Sequence, residues 1–514
     1  MTPLRRLAVL ATVCLAVFAI NLDTSIVNVA LPDLTRQLGA GTRSLQWVVD
    51  GYNLAFAALV LTGGSIGDRF GRRPTLLVGL IGFAAASVAG ALAGDAGTLI
   101  GMRFVMGTFA ALIYPTTLSI ITNVYPERSE RAKAIGVWGA VTGLGVAVGP
   151  VTGGLLLAHF WWGSVFLALV PVALVAAALA YVLVPESRQP DASRLDLPGL
   201  FTSSGAIGLL VYTIIEAPQR GWGSSLTVGG FVLAAVMALA FVSVERRRDR
   251  PMIDVGLFRI PAFSAASAAV TVAFFALFGF IFLITEYFQF IRGYGTLSTG
   301  VRILPVAASI AVGSVFGARI AGRVGTRIVV STGLVLLGLS FAWIAVSALG
   351  ESYLQIAAQM VLMGAGLGLT SAPATESILS VLPPAKAGVG SAVNDATREA
   401  GGALGVAVIG SVFSSVYLHH LAGGSFAALP AAVADQARSS VGAALAIAQR
   451  PGADPGLLGD VTASFMRALH AGCLTAAGVC CLGAVAALAL PGRPARAVAG
   501  PATSSGPDLV ELTV

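Results

Sequence analysis

Charge is scarce in this chain. Asp, Glu, Lys and Arg make up 11% of its 514 residues, against 56% hydrophobic residues and a mean hydropathy of +0.87. That balance excludes a water-soluble enzyme. Cysteine is scarce too. Cys14, Cys473, Cys480 and Cys481 all lie in apolar segments, so they supply neither a disulfide framework nor a zinc site. There is no histidine cluster, nucleophile motif or phosphate-binding glycine loop, which argues against a membrane-embedded enzyme and against an ATP-driven pump. The net charge of +7 does not point to nucleic acid, because the basic residues are scattered between apolar runs. They read as membrane orientation signals.

What the chain has is a series of apolar runs. At about 20 residues per crossing, fourteen membrane spans are predicted. The first six lie near 7–30, 46–66, 75–94, 98–121, 134–157 and 163–184. Two more lie near 199–217 and 225–244, and the last six near 263–288, 302–320, 328–349, 353–375, 388–415 and 466–490. Arg5 and Arg6 precede a run that leads straight into further spans, so an uncleaved first helix is expected rather than a signal peptide. With both termini cytoplasmic, the loops and tails on that side hold 21 Lys and Arg and the opposite side 8; Arg103 and Arg398 fall within spans, which completes the 31. Arginine far outnumbers lysine and alanine and glycine are abundant, a composition that suggests a GC-rich bacterial genome and hence the inner membrane.

One charged turn organises this pattern. Gly64-Ser-Ile-Gly-Asp68-Arg69-Phe-Gly71-Arg72-Arg73-Pro74 sits between two apolar runs, and its glycines allow close helix contact and a tight reversal. Asp68 is expected near the start of the following helix, whose free N–H groups favour an anion. A degenerate copy, Arg323-Val-Gly325-Thr-Arg327, recurs later, with Gly322 where the acid would stand. Leu144-Gly-Val-Ala-Val148 is likewise repeated as Leu404-Gly-Val-Ala-Val408. These echoes predict a duplicated bundle: an N-terminal half over 1–185 and a C-terminal half over 255–490, separated by 186–254 with two inserted helices. An outer loop, 416–465, is expected along the membrane surface, and a disordered cytoplasmic tail over 491–514.

Three stretches carry chemistry. Asp23, within Asn21-Leu-Asp23-Thr-Ser-Ile-Val-Asn28-Val-Ala-Leu-Pro32, is an acid in an apolar span. It costs at least ~2.5 kcal/mol there and so faces a cavity or a partner. Arg103, in the fourth span, is expected about 8–11 Å below the same surface as Asp23, counted at 1.5 Å per residue. Similar depth permits an Asp–Arg pair that proton arrival or substrate binding would loosen; a static structural pair is the alternative. In the fifth span, Gly143, Gly145, Gly149, Pro150, Gly153 and Gly154 allow close helix contact, and Pro150 favours a kink.

Together these stretches resemble the major facilitator superfamily, and within it the fourteen-spanner drug:proton antiporter family. Gly64–Arg73 resembles the superfamily's loop signature and Gly143–Gly154 the antiporter signature. Arg103-Phe-Val-Met-Gly107 and Asp23–Pro32 resemble the family's helix-four and helix-one signatures. Pro383–Gly405, with Gly388, Asn394, Arg398, Gly401 and Gly402, is similar to its late glycine-rich segment. The resemblance covers about residues 5–490. It implies an all-α integral membrane fold of two six-helix bundles plus two inserted helices, working by alternating access. No cofactor is implied; a proton gradient drives a small lipophilic or cationic substrate outward across the lipid bilayer.

Carried onto this sequence, the resemblance makes Asp23 and Arg103 the coupling candidates. Asp68 and Arg72, with Gly64, Arg69, Gly71 and Arg73, form a cytoplasmic latch, while Gly149 and Pro150 help seal the path. Glu286 departs from the family pattern and is either a second acid for protons or cations or a cap at a helix end. Asp50 and Asp395 are weaker candidates; the alternative for Asp395 is a pair with Arg398, three residues along its helix. Trp47, Tyr52, Tyr114, Trp138, Phe280 and Tyr287, with Asn394, suit flat lipophilic ligands and cations, although each alone fits ordinary packing. His159, Trp161 and Trp162 fit an interfacial belt. The expected function is efflux of lipophilic drugs or antibiotics. The alternatives are dedicated export of one endogenous metabolite and, less in keeping with a buried acid and matched arginine, a passive facilitator.

The predicted sidedness is open to a direct test. In a cysteine-free background, Pro190→Cys is expected to react only with reagents that reach the cytoplasm. Reaction with an impermeant reagent applied outside would overturn the topology.

Overall fold

The computed structural model describes residues 2–188, 196–248, 255–381, 387–422, 425–450 and 453–492. Parts of the expected linkers, of Pro383–Gly405 and of the tail beyond Gly492 lie outside the described residues. Within the described residues every regular element is helical. This is the form a chain takes when lipid offers no hydrogen bonds to its backbone.

The first six long helices are α1 (Pro3–Leu38), α2 (Thr42–Phe70), α3 (Arg72–Ala91), α4 (Ala96–Val124), α5 (Arg128–His159) and α6 (Ser164–Leu183, interrupted at Ala168). Then come α7 (Leu197–Arg220) and α8 (Ser225–Arg246). The last six are α9 (Pro261–Glu286), α10 (Thr296–Val324), α11 (Thr326–Ala345), α12 (Tyr353–Ser380), α13 (Ala387–Leu421) and α14 (Pro455–Ala486). Thirteen are long and apolar enough to cross a membrane unbroken; α2 makes the fourteenth if its two arms, which meet at 52° between Val60 and Thr62, count as one crossing.

Local chemistry sets many of the helix starts. Side chains of Asp95, Asp196, Ser224, Ser352 and Asp454 accept from backbone N–H groups of the first turn of α4, α7, α8, α12 and α14. At Asp95, bonds from Thr98 N and Thr98 Oγ1 also hold the carboxyl below the usual carboxylate range.

The packing repeats itself. Helices α1 and α5, α2 and α4, α3 and α4, and α3 and α6 pack together; so do α9 and α13, α10 and α12, α11 and α12, and α11 and α14. Between the two sets the principal contacts are α5 with α10 and α2 with α13, the exchange expected of a pseudo-two-fold arrangement. The inserted α7 and α8 pack on each other, and α7 also meets α2 and α13.

The helices overrun the apolar windows from which spans are read. Helix α1 continues through Pro32 to Leu38, so Asp23 stands near its middle rather than close to its end. The segment expected as an outer loop over 416–465 is shorter, because α13 runs to Leu421 and α14 begins at Pro455. Nor is its short helix Val441–Ala448 laid out along a surface. Val441, Ala444, Leu445 and Ile447 are buried, and Gly442 abuts Thr35 of α1 and Phe290.

Small residues make the close crossings possible. A Cβ on Gly63 of α2 would collide with the Ala111 carbonyl of α4, and one on Gly405 of α13 with the Phe275 carbonyl of α9. Both partners are backbone, which cannot swing aside. Gly63→Val is therefore expected to destabilise the folded protein by about 1–3 kcal/mol, read as a lower thermal midpoint of the detergent-solubilised protein. An unchanged midpoint would show that α2 and α4 can separate without cost.

Candidate functional site

The two charged turns share one geometry. Gly71 and Gly325 adopt φ of 109° and 96°, values open to glycine but strained for other residues, and each lets one helix end and the next begin at once. Asp68 does not cap the following helix. Helix α2 runs on to Phe70, and the carboxylate of Asp68 instead takes Arg72 Nε and Nη2 at 3.0 and 2.9 Å. Arg72 also donates to Ser119 O at 3.1 Å, and Arg73 lies 3.6 Å from Glu186. Arg69 lies over the exposed ring of Phe70. Gly64 and Gly67 pack on Pro115 and Thr116 of α4. In the second turn Arg327 donates to Leu490 O at 2.8 Å and its N–H to Pro491 O at 3.2 Å. These interactions each stay within one bundle.

At the opposite end the bundles meet. Thr296 of α10 donates to Gly154 O at 3.3 Å, Gln289 to Val29 O at 3.0 Å, and Gln46 of α2 to Val406 O, Ala407 O and Ser411 Oγ of α13 at 3.3–3.4 Å. Glycines of α5 divide the work. Gly145, Gly149 and Gly153 press against Asn21, Ser25 and Ile26 of α1, whereas Gly154 presses against the backbone of Thr296 and Leu297. The Pro150 carbonyl meets Gly300 of α10, and Gly143 faces open space. Helix α5 remains continuous through Pro150. The path between the bundles is thus sealed on the side opposite the termini.

Beneath that seal lies the charged centre. Asp23 accepts two hydrogen bonds from Arg103 Nη1, at 2.8 Å to Oδ1 and 2.7 Å to Oδ2, and both side chains are enclosed, 0% and 1% exposed. Arg103 Nε donates to Val48 O of α2 at 2.8 Å, and the guanidinium carbon lies 4.4 Å from the ring centre of Tyr52. One cation therefore ties α1, α2 and α4 together. A buried pair of this kind is costly to assemble and costlier to break on one side. Proteins retain it where the charge has work to do.

A family model described as Major Facilitator Superfamily matches residues 13–406. This chain belongs to the major facilitator superfamily. It is 37% identical over 401 residues to the multidrug resistance protein Stp of Mycobacterium tuberculosis, covering 78% of this chain and 74% of that protein. It is 34% identical to the multidrug efflux pump LfrA of Mycolicibacterium smegmatis (81% and 82% covered) and 36% identical to the puromycin resistance protein pur8 of Streptomyces alboniger (80% and 83% covered). Its fold is similar to a bacterial homologue of the human lysosomal transporter Spinster, solved inward-facing and unoccupied, with a TM-score of 0.66 at 16% identity over 95% of this chain and 98% of that one.

The remaining candidates of this facilitator are dispersed. Tyr52 is wholly buried on Arg103, and its hydroxyl has no hydrogen-bond partner. Tyr114 packs edge-on against Trp138 at 5.1 Å, with Trp138 Nε1 donating to Thr117 Oγ1. Trp47 faces Phe104 and Tyr212 of the inserted α7. Phe280 and Tyr287 line a cavity inside the second bundle, among α9, α11, α12 and α14. Glu286 is not a cap at a helix end: the helix passes through it into a π-helical turn, Tyr287–Ile291, and the side chain is buried with Oε2 unpartnered. Asp50 is fully buried with neither oxygen hydrogen-bonded. Asn394 accepts from Thr375 Oγ1 at 2.9 Å and donates to Asp395, which lies 3.9 Å from Arg398.

One acid escaped the sequence reading. Glu399, four residues after Asp395 and so on the same helix face, lies within electrostatic reach of Arg398 and of Tyr52 in the other bundle. Its signal was present, as a carboxylate next to an arginine inside an apolar run. Arg398 in turn interacts with Tyr114 of the first bundle.

The Asp23–Arg103 pair has a thermodynamic signature. Arg103→Ala leaves a buried carboxylate unpaired and is expected to cost about 3–5 kcal/mol. Asp23→Asn on that background is expected to restore part of the loss, and thermal unfolding of both single variants and the double variant measures the coupling. Strict additivity would show that the two groups do not act on each other.

Proposed function

We propose that this facilitator exports lipophilic, including cationic, small molecules by proton antiport, cycling between states open to alternate sides. The observation that carries the reading is the enclosed Asp23–Arg103 pair: a titratable acid on α1, held by a cation of α4 just below the inter-bundle seal. A proton reaching Asp23 cancels its charge and frees Arg103, and α2 with it through Val48 O and Tyr52. The seal formed by Gln46, Gln289 and Gly154 would then be weakened from below. Glu399 and Arg398, facing Tyr52 and Tyr114, supply the charged wall on the second bundle. The names of its relatives, multidrug efflux and antibiotic resistance proteins of mycobacteria and Streptomyces, support the substrate class.

In this reading the protein lies in the bacterial inner membrane with both termini cytoplasmic. The turn at Asp68 and Arg72 re-engages the second bundle when the cytoplasmic side shuts. A second reading, dedicated export of one metabolite, is favoured by a relative named tetracenomycin C resistance and export protein, from Streptomyces glaucescens, 34% identical over 409 residues.

Asp23→Asn tests the mechanism. In proteoliposomes with an imposed pH gradient the variant is expected to lose uphill transport, because it mimics the protonated acid permanently. It should keep downhill exchange of substrate, since the bundles and their cavity remain. Asp23→Glu should retain part of the activity with a shifted pH optimum. Concentration of substrate against its gradient by Asp23→Asn would remove Asp23 from the coupling step and turn attention to Glu286 and Glu399.

A further inference from the structure

The inserted helices do not stand apart from the bundles. Helix α7 is fastened to both of them at the sealed end. Toward the first bundle, Arg43 at the start of α2 pairs with Glu216 and donates to Gln219 Oε1 at 3.3 Å. Toward the second, Ser411 of α13 donates to Ile214 O at 2.9 Å, and Trp222 Nε1 donates to Ser415 Oγ at 3.2 Å. Ser411 also accepts from Gln46 of α2, so a single hydroxyl joins α2, α7 and α13. When the bundles part at this end, α7 cannot keep both sets of contacts.

The two attachments differ in what their release costs. Glu216 is 3% exposed, and a buried acid stripped of its only cation would be strongly unfavourable. It has a second cation on its own helix, however: Arg220 Nη2 lies 3.0 Å from Oε2. Arg43 is 43% exposed and passes into water without penalty. The attachment to α13 has no such substitute, because Val211, Ile214 and Ile215 are buried against Ala403 and Ala407 and would lose their cover, whereas Trp47 of α2 joins this cluster only as a partly buried neighbour.

We infer that the α7–α8 hairpin travels with the second bundle, and that Arg43–Glu216 is a releasable latch holding the path shut on the side opposite the termini, with Arg220 as the partner that makes release possible. The inference rests on alternating access. It does not depend on proton coupling or on the identity of the substrate. The helices added to the duplicated plan are then part of the gate, and they set how the resting population divides between the two states.

The test reads the α5–α10 seam, away from α7. In a cysteine-free background, Leu297→Cys places a thiol beside Gly154. Its reaction with an impermeant maleimide is timed from the side opposite the termini, without substrate or gradient. Glu216→Gln and Arg43→Gln are each expected to raise the labelling rate several-fold, and the double variant no further than either one. Arg43 is half in water, so its variant retains the fold even if Glu216→Gln does not. Arg220→Gln is expected to slow labelling, since release would then leave Glu216 alone. Unchanged labelling in Arg43→Gln, or faster labelling in Arg220→Gln, would overturn the latch while leaving alternating access intact, provided the parent reporter reacts during turnover. A reporter that stays silent during turnover and in every variant would overturn both.

Discussion

Helices in a bilayer gain little from hiding apolar surface from one another, because lipid tails are just as apolar. What holds this protein together is the close approach of backbones, and that approach requires side chains to vanish at the crossing points. Gly63 and Gly107 set α2 on α4, Gly145, Gly149 and Gly153 set α5 on α1, and Gly401 and Gly405 set α13 on α9. The same device closes the seam between bundles, where Gly154 and Gly300 bring α5 against α10. Contacts within a bundle run along whole helices, whereas the hydrogen bonds of Gln46, Gln289 and Thr296 across the seam lie at one end. The bundles can therefore move as bodies while the seam opens.

Charge is then placed where movement is wanted. Asp23 and Arg103 connect α1, α2 and α4 below the seam, Arg43 and Glu216 connect α2 and α7 at its rim, and Asp68 and Arg72 lie at the far end of α2. Helix α2 takes part in all three and bends by 52° between its rim and its turn. A bent helix gripped at three levels is suited to passing a change at the middle to both ends. The two outer grips are ion pairs with an alternative: water for Arg43, Arg220 for Glu216, the Ser119 carbonyl for Arg72.

Much of this was legible in the sequence because the membrane makes errors expensive. Fourteen apolar runs and the repeated Arg-x-Gly-x-Arg turn gave the helix count and the pairing of halves, since a span without enough apolar residues would not form. The contact between Asp23 and Arg103 was foreseeable for the same reason: opposite charges in apolar runs cost less together than apart. The depth argument used to match them was less sound, because α1 continues through Pro32, and proline at that position does not end a helix supported by neighbours. What could not be read was rotation. Tyr52 and Phe280 both look like cavity aromatics in sequence, yet one is stacked on Arg103 and the other is turned into the second bundle. Glu216 was not singled out in the sequence, and only the position of α7 against α2 reveals its partner.

The second charged turn carries a consequence for chain length. Gly322 and Thr326 stand where the first turn has Asp68 and Arg72, and Arg327 stands where Arg73 meets Glu186; Arg327 grips the carbonyl of Leu490 instead, while its own N–H donates to that of Pro491. The turn between α10 and α11 is thus completed by the backbone that follows the last helix. A chain ending before Leu490 would leave the arginine without these acceptors. The natural limit for truncation or for attaching a fused partner is therefore fixed by a hydrogen bond to a turn more than 160 residues earlier.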